Sequence, residues 1–478
     1  MSTMTAEHTP QTLRVAGLAT DLCRPATPGP HPAVVLRTPY DRRTHRAELR
    51  AWAARGFAAL AQDVRGRYGS EGTWRPYGDQ EAADGTATLR WIRAQPWSDG
   101  RVVAAGASYA AYCALAVADH ADAVIAAVPA LGLAETAREA TGPERLAARA
   151  GWWTAHGDRR ESTTTPLDPA ALDRLPVRTL LDLPSWPALW DAPRRAPFTS
   201  GTPLLAVGGT RDPFAADTVR LWRGWYGPAR LLLGPWGHGL TAEPAPEARP
   251  AHRIALGDLY ARWARAALDG TLTGHTSAVA LGDSDHWCRL PARPPALTCR
   301  FGDPAGLRPL NGTAFTADPH HPVRSDRLDV PEQGEPDRCL LVTPPLPRPL
   351  DLLGPAVARL DATADTPSAD WAVRLVALTP DGHARPLATG VVRRTGDGPL
   401  TVPLGHLARR LDAGTRLRVE VAGHHFPAHA RNPHTGEDPV TATRLLASRR
   451  TVRPEGSALS LPVVRGLQPI DPAQEIPT

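Results

Sequence analysis

Three segments of this chain each follow an apolar run and carry, in order, a serine, an aspartate and a histidine. They are Gly106-Ala107-Ser108-Tyr109-Ala110, Gly209-Thr210-Arg211-Asp212-Pro213 and Gly234-Pro235-Trp236-Gly237-His238. Short apolar runs of this kind predict buried strands. Because the carboxyl ends of parallel strands meet at one edge of a sheet, we expect Ser108, Asp212 and His238 to lie together at that edge. This pattern constrains the fold more than any other feature of the sequence.

Strand-like runs alternate with helical periodicity between Pro32 and Asp269, which predicts a mostly parallel sheet wrapped by helices. The predicted strands are 33–37, 57–62, 102–105, 123–128, 203–207 and 230–233, and the predicted helices are 46–55, 79–93, 110–119 and 251–268. No clear strand pattern occurs between 133 and 200, so this segment is expected to be a helical insertion that covers the site as a cap.

Short alternating segments separated by Gly, Pro and Asp follow from residue 273 onward, for example at 371–378, 387–393 and 416–422. Such segments predict an antiparallel β-sandwich or jelly roll. The sequence therefore divides into an α/β domain (1–132 and 201–272), a helical cap (133–200) and a C-terminal all-β domain (273–478).

Composition excludes several classes of chemistry and partner. All 54 basic residues are arginine, so Schiff-base, Ser-Lys and Walker-type phosphate chemistry lack the ε-amine that they need. A net charge of only +5, with the arginines scattered, argues against a nucleic-acid partner. Met1 to Gln11 is polar and no long apolar run occurs, so we expect a cytoplasmic protein without a membrane partner. The five cysteines form no CxxC pair and receive no role.

The first of the three segments has the form of a sharp turn between a strand and a helix that exposes a nucleophile. The strand would end near Ala105, Gly106 would occupy the crowded position before the turn, and the helix would start after Ser108. Ala110 stands where this motif prefers a second glycine. Read alone, Ser108 is also typical of an ordinary serine at the start of a helix, so the assignment depends on the other two segments.

His238 and Asp212 supply the remaining parts of a Ser-His-Asp triad. An imidazole can take the Ser108 proton and return it to a leaving group near neutral pH, and a carboxylate holds the imidazole in the required tautomer. Asp212 precedes Pro213, so it also has the pattern of a helix N-cap, and Asp217 is the alternative acid. A cluster at His424, His425, His429 and His434 is expected to be structural, and we predict no metal and no cofactor.

Further motifs match a known group of enzymes. They are Arg37-Thr38-Pro39-Tyr40-Asp41, Gln62-Asp63-Val64-Arg65-Gly66-Arg67, Gly69-Ser70-Glu71-Gly72, Gln95-Pro96-Trp97-Ser98-Asp99-Gly100, Phe426-Pro427 and Arg431-Asn432-Pro433. Together with the Ser108, Asp212 and His238 segments they resemble the cocaine esterase and X-Pro dipeptidyl-peptidase family of serine hydrolases. The resemblance covers nearly the whole chain.

This resemblance implies an α/β-hydrolase core, a helical cap and a C-terminal jelly roll of the galactose-binding-like type. It also implies that the Tyr40 hydroxyl and the Tyr109 backbone N–H form the oxyanion hole, and that the cap shapes the acyl pocket. Trp152 and Trp153 are candidate pocket residues in the cap. Recognition of a substrate ammonium group would need carboxylates near the pocket. Candidates in the cap are Asp158, Glu161, Glu135 and Glu139, and the sequence does not place them.

Three hypotheses of function follow from these observations. The first is a hydrolase that cleaves a carboxylic ester or amide, of a small molecule or short peptide, through an acyl-enzyme on Ser108. The second keeps the triad but makes the protein an acyltransferase or a peptide-tailoring enzyme of a biosynthetic pathway. The third is an inactive hydrolase that acts as a binding protein. The sequence leaves open the substrate and whether the chain forms a homo-oligomer.

Overall fold

A large mixed sheet forms the centre of the computed structural model, which describes residues 9–330 and 335–478. The strands of this sheet are β1 (Gln11–Val15), β2 (Leu18–Cys23), β3 (His31–Thr38), β4 (Ala58–Asp63), β5 (Ser98–Ala107), β6 (Ala123–Ala127), β7 (Leu204–Gly209), β8 (Ala229–Gly234), β11 (His275–Ala280) and β12 (Trp287–Cys288). A separate two-stranded ribbon consists of β9 (Trp236–Gly237) and β10 (Leu240–Pro244). All six strands predicted from the sequence are present in the large sheet.

The sheet has ten strands in the order β1-β2-β4-β3-β5-β6-β7-β8-β11-β12. The strands from β4 to β11 along this order run parallel, and the outer pairs are antiparallel. The paired positions Ala107 with Ala127 and Gly209 with Gly234 bring the ends of β5 to β8 to one edge. The segments that carry the serine, the aspartate and the histidine leave the sheet at that edge.

Helices cover both faces of the sheet. They are α1 (Arg46–Ala54), α2 (Gln80–Arg93), α3 (Tyr109–Leu115), α4 (Leu133–Ala137), α5 (Ala147–His156), α6 (Ser185–Asp191), α7 (Ala215–Gly224), α8 (Leu256–Leu268) and α9 (Pro472–Glu475). Apolar side chains of α2, α3 and α7 pack on one face, and those of α1 and α8 pack on the other. Burial on both faces explains why the central strands are continuous apolar runs rather than alternating ones. None of the described helices has the length and apolarity needed to cross a membrane.

The cap, residues 133–200, lies between β6 and β7 and contains α4, α5 and α6. All of it is described, and it contributes no strand to any sheet. Its core includes Trp153, Trp186 and Leu189, and it extends to Phe426 and Val440 of the C-terminal part of the chain. The cap is therefore packed from two sides, by its own helices and by the C-terminal domain.

Two antiparallel sheets form the C-terminal domain and enclose a common apolar core. Their strands are β13 (Ala296–Arg300), β14 (Arg308–Pro309), β15 (Ala314–Ala317), β16 (Arg338–Val342), β17 (Leu350–Ala364), β18 (Ala369–Leu378), β19 (Ala384–Arg394), β20 (Gly398–Leu411), β21 (Arg416–Ala422) and β22 (Ser448–Val464). The predicted fold class, an α/β core with an all-β C-terminal domain, is confirmed.

The central sheet continues past the boundary that the sequence places at residue 273. Strand β11 pairs in parallel with β8, and β12 pairs with β11, before the first strand of the sandwich begins at Ala296. Short apolar strands look alike in both domains, so only their pairing assigns them. At the other end of the chain, residues 1–8 of the polar N-terminal segment lie outside the described residues.

Candidate active site

Ser108 lies in a tight turn between the end of β5 and the start of α3. Its backbone has φ 57° and ψ −118°, a conformation that is strained for any residue other than glycine. The strain is held by two hydrogen bonds, because the Ser108 N–H donates to the Ala127 carbonyl (2.9 Å) and its carbonyl accepts from the Ala130 N–H (3.2 Å). The turn leaves the Ser108 side chain partly accessible at the edge of the sheet.

Gly106 makes this turn sterically possible. A Cβ atom at this position would lie 2.3 Å from both the backbone carbon and the oxygen of Ala110 and 2.7 Å from the Ala110 Cβ. No side chain can fit there without displacement of α3. The bare Gly106 also leaves room for the Ala110 methyl group, which explains how alanine fits where the motif prefers a second glycine.

His238 and Asp212 form a hydrogen-bonded pair at the same edge of the sheet. His238 Nδ1 lies 2.8 Å from Asp212 Oδ1, and the Asp212 side chain is fully buried while that of His238 is 41% exposed. With Nδ1–H donated to the carboxylate, Nε2 carries the lone pair that can accept a proton. The Phe214 ring packs edge-on against the imidazole, with centroids 5.6 Å apart.

Asp217, the alternative acid, lies elsewhere. It is on α7 and forms an ion pair with Arg220, and burial raises the pKa of its carboxyl group. The structure brings Asp212, and not Asp217, to His238. Ser108 Oγ and His238 are not joined by a hydrogen bond among the described residues, although such bonds often tighten only when substrate binds.

Ionic contacts with the C-terminal domain anchor the loop that carries Asp212. Arg211 pairs with Glu247 (2.7 Å), Glu247 with Arg409 (2.7 Å), and Arg409 with Asp283 (2.7 Å). Glu247 is only 2% exposed, so its charge depends on these two arginines. Arg211 is one end of this ionic network.

Tyr40 follows β3 and places its hydroxyl beside the nucleophile. The hydroxyl accepts a hydrogen bond from Trp152 Nε1 (3.0 Å), and Ser108 is close enough to influence the Tyr40 pKa through a hydrogen bond. Burial raises that pKa, so Tyr40 keeps its proton. Because an indole N–H can only donate, it leaves the single Tyr40 proton available for an oxygen near Ser108.

Tyr109 supplies a backbone N–H at the first position of α3, where helix geometry provides no intrahelical acceptor. Its side chain points into the core instead. The hydroxyl donates to Glu81 Oε1 (3.0 Å) and accepts from Trp74 Nε1 (3.1 Å) and the Tyr77 N–H (2.9 Å). These bonds fix the residue whose amide adjoins the nucleophile.

The two tryptophans on α5 have different surroundings. Trp152 contacts Tyr40 and lies parallel to the Tyr109 ring, with centroids 6.4 Å apart. Trp153 is 1% exposed and belongs to the core of the cap, where its Nε1 donates to Ser185 Oγ (2.7 Å). Trp152 is thus in direct contact with the candidate site, whereas the contacts of Trp153 lie inside the cap.

The C-terminal domain holds α5 in place. The Leu146 and Ala147 N–H groups at the start of this helix donate to the carbonyls of Ala428 (2.9 Å) and Pro427 (3.0 Å). The Phe426-Pro427 motif therefore satisfies amides that the helix itself cannot satisfy. Its function is to position the cap helix that carries Trp152.

Glu139 adds an ionic link between the cap and the same loop. It accepts two hydrogen bonds from Arg145 (2.8 and 2.9 Å) and lies 3.1 Å from His429 Nε2. Burial by itself raises the pKa of Glu139, but His429 and Arg145 outweigh burial and hold the pKa below its ordinary value of 4.5. The carboxylate is therefore charged in the folded protein.

The histidine cluster forms two ring pairs, His424 with His434 (5.1 Å) and His425 with His429 (5.4 Å). Burial lowers the pKa of His425 to about 3 and that of His434 to about 4. Across residues 9–330 and 335–478, no group of three or more His, Cys, Asp or Glu side chains has an arrangement that could hold a metal ion.

Sequence reasoning did not single out Arg149, which also lies on α5. It is 6% exposed, and its guanidinium carbon lies 5.9 Å from the ring centroids of both Trp152 and Phe214. It precedes Trp152 by nearly one helical turn, a spacing that puts both side chains on one helix face. The three-residue spacing between Arg149 and the candidate pocket residue Trp152 was the signal in the sequence that could have identified Arg149.

Comparisons with known proteins agree with this arrangement. The X-Pro dipeptidyl-peptidase (S15 family) model matches residues 16–240, and the model of the X-Pro dipeptidyl-peptidase C-terminal non-catalytic domain matches residues 261–455. The cocaine esterase of Rhodococcus sp. (strain MB1 Bresler) is 26% identical over 88% of this chain and 90% of that protein.

Two solved structures share the whole fold. An aminopeptidase from a marine sediment Thaumarchaeota archaeon has a TM-score of 0.78 at 19% identity, with 97% of this chain and 98% of that chain covered. An α-amino acid ester hydrolase has a TM-score of 0.70 at 19% identity, with the same coverage of 97% and 98%.

Proposed function

We propose that this chain, which belongs to the X-Pro dipeptidyl-peptidase and cocaine esterase family of serine hydrolases, cleaves a carboxylic ester or amide through an acyl-enzyme on Ser108. The observation that carries the proposal is the hydrogen-bonded pair of His238 and the buried Asp212, 2.8 Å apart, at the sheet edge where Ser108 is held in a strained turn. A strained serine beside an oriented imidazole is the arrangement that activates a hydroxyl for nucleophilic attack.

In the first half-reaction Ser108 Oγ attacks the substrate carbonyl carbon while His238 Nε2 takes the hydroxyl proton. The carbonyl π electrons move to oxygen and form a tetrahedral oxyanion. The intermediate then collapses, the bond to the leaving group breaks, and His238 returns the proton to the departing alcohol or amine. Asp212 stabilises the imidazolium in between, and the product is an ester of Ser108.

Water reverses these steps in the second half-reaction. His238 removes a proton from water, the hydroxide oxygen attacks the acyl carbon, and collapse of the second tetrahedral intermediate releases the acid. The proton goes back to Ser108 Oγ. His238 is the exposed member of the pair, so water and the leaving group can reach it from solvent. No cofactor enters this scheme.

Tyr40 and the Tyr109 N–H are the proposed donors to the oxyanion. A buried, neutral phenol beside Ser108 can donate to charge that develops on the carbonyl oxygen, and such a donor is fixed before the reaction begins. Trp152 holds the Tyr40 oxygen from the other side. The oxyanion hole is therefore built jointly by the hydrolase core and the cap.

The test is to label the full-length protein with a fluorophosphonate and to map the adduct by mass spectrometry. We expect one adduct, on Ser108, and loss of both the adduct and turnover in Ser108→Ala, with kcat lower by more than about 10³-fold. Ser185→Ala is the matched control, because this serine also lies at the start of a helix and should leave labelling intact. Near-normal turnover in Ser108→Ala would contradict the assignment.

Product analysis separates hydrolysis from acyl transfer. An ester substrate is incubated with and without an added amine or alcohol acceptor, and the products are quantified by mass spectrometry. Free acid as the main product under both conditions supports hydrolysis. Acylated acceptor as the main product, with little free acid when no acceptor is added, would show that the same triad serves an acyltransferase.

A further inference from the structure

Arg149 is a buried cation that the protein itself does not neutralise. Its Nε and Nη1 atoms are inaccessible and have no hydrogen-bond partner among the described residues. Burial lowers the pKa of its guanidinium, and the groups that favour the charged form are the Tyr77 hydroxyl, with which it shares a hydrogen bond, and the Tyr40 hydroxyl. A buried, unpaired charge is costly, so such a group calls for an explanation.

Two neighbouring arginines have hydrogen-bond partners of a kind that Arg149 lacks. Arg67 is equally buried and donates to the carbonyls of Pro39 (2.9 Å) and His156 (3.1 Å) and to Ser162 Oγ (2.8 Å). Arg145, four residues before Arg149 on the chain, forms two hydrogen bonds with Glu139. Across the described part of the chain, buried nitrogens without a hydrogen-bond partner also occur in Arg145 and Arg450, so what sets Arg149 apart is the combination of two such nitrogens with a position against Trp152 and Phe214.

The contacts of Arg149 place it against the candidate active site. On one side is Trp152, which donates to Tyr40 beside Ser108. On the other side is Phe214, which packs against His238. The guanidinium thus lies 5.9 Å from each of two rings, one of which contacts Tyr40 and the other His238.

The carboxylates of the cap that could recognise an ammonium group are engaged elsewhere. Glu139 binds Arg145 and His429, Glu135 accepts from the Arg195 N–H (2.9 Å), and Asp158 accepts from Ser185 (2.9 Å). Glu161 is exposed. The unpaired charge next to the site is positive, which is opposite to what an ammonium substrate needs.

We propose that Arg149 binds a carboxylate carried by the acyl portion of the substrate, so that the preferred substrates are monoesters or monoamides of dicarboxylic acids. This inference rests on the proposed function. The acyl portion is assigned because the leaving group and water exchange protons with His238, the exposed member of the site, whereas Arg149 is buried against Trp152, which donates to Tyr40 beside Ser108. A carboxylate supplies the charge-assisted acceptor that the Arg149 N–H groups lack.

The first test compares three ethyl esters with the wild-type protein. Monoethyl glutarate has a terminal carboxylate, ethyl glutaramate has a neutral amide of the same shape, and ethyl 6-aminohexanoate has an ammonium group. We expect kcat/KM for the carboxylate ester to exceed that for the amide by about 10- to 100-fold, and the ammonium ester to be the poorest. Equal rates for the carboxylate and the amide would overturn the inference while leaving the proposed function intact.

The second test uses Arg149→Gln, with Arg178→Gln as the control, because Arg178 is a cap arginine that is already paired with Asp191. Arg149→Gln should reduce the ratio of kcat/KM for carboxylate over amide to near one, whereas Arg178→Gln should preserve it. If Arg149 only supports the cap, both substrates lose activity equally and the ratio stays unchanged, which overturns the inference.

A binding measurement on the wild-type protein tests the inference even if a variant does not fold or no ester is turned over. Glutarate should slow fluorophosphonate labelling of wild-type Ser108 at concentrations where glutaramide, its uncharged diamide, does not. Equal protection by the two compounds would overturn the carboxylate site. Absence of labelling altogether would instead contradict the proposed function, so the two failures are distinguishable.

Discussion

Substitution of Tyr40 by phenylalanine removes one hydroxyl from the candidate oxyanion hole and leaves the ring in place. The structure assigns that hydroxyl two contacts, with Trp152 Nε1 (3.0 Å) and with Ser108. Neither contact binds the ground-state substrate. We therefore expect the substitution to lower kcat and to change KM little, because the lost donor acts only on the charge of the transition state.

The expected size follows from the contacts. Removal of one preorganised donor from an oxyanion hole costs about 2.7 to 4 kcal/mol, which corresponds to a decrease in kcat of about 10²- to 10³-fold. Trp152→Phe keeps an aromatic ring against Tyr109 and removes the hydrogen bond that holds the Tyr40 oxygen, a bond worth about 1 kcal/mol, or about fivefold in kcat. In the double variant, the Trp152 substitution should add almost nothing, because it acts through a hydroxyl that is no longer present.

The assay is a double-mutant cycle of initial rates with one ester, with folding checked by circular dichroism. A kcat for Tyr40→Phe within about threefold of wild type would refute the oxyanion role of Tyr40. Additive effects of the two substitutions would show that Trp152 does not act through Tyr40. Burial raises the Tyr40 pKa above its ordinary value of 10.0, so the hydroxyl keeps the proton that it donates at the neutral pH of the assay.

Two further predictions concern stability. Gly106→Ala places a Cβ against the Ala110 backbone and should lower the free energy of unfolding by about 1 to 3 kcal/mol in a denaturation assay. Gly151→Ala is the control, because its Cβ meets nothing within 4 Å and the substitution should be neutral or stabilising in the same assay. The lowered pKa of Glu139 means that its charged form stabilises the fold fully above pH 4.5, and that this contribution is lost as the pH falls further. The melting temperature of Glu139→Gln should therefore be below that of wild type at pH 7, and the difference should close below pH 4.5. The control Glu455→Gln, at an exposed position, should melt with wild type at both pH values. A difference for Glu139→Gln that is constant with pH would contradict the argument.

Much of the architecture could be predicted because it depends on local patterns. The runs 33–36 in β3, 58–61 in β4 and 123–127 in β6 are apolar without interruption, since both faces of each strand are buried there. Each candidate residue of the triad follows such a run directly, so its place at the sheet edge follows from strand direction alone. The boundary at residue 273 was less accurate, because pairing with β8 and not local sequence assigns β11 to the central sheet.

The remaining features depend on contacts between residues far apart in the chain. The ionic network from Arg211 through Glu247 to Arg409 joins segments with no shared motif, so no spacing could reveal it. Trp152 and Trp153 are adjacent in sequence, yet one donates to Tyr40 and the other to Ser185. Adjacent residues on a helix point in different directions, and only the packing of the cap decides which direction faces the site.

The sequence by itself determined the class of fold and the chemistry available at the sheet edge, because hydrophobic periodicity and the order of Ser108, Asp212 and His238 are local and directional properties. Only the tertiary structure decided which acid meets His238, which tryptophan supports Tyr40, and that the charge left unpaired beside the nucleophile is the positive charge of Arg149. A charge is paired or unpaired according to every group that surrounds it in space, and those groups come from the core, the cap and the C-terminal domain at once.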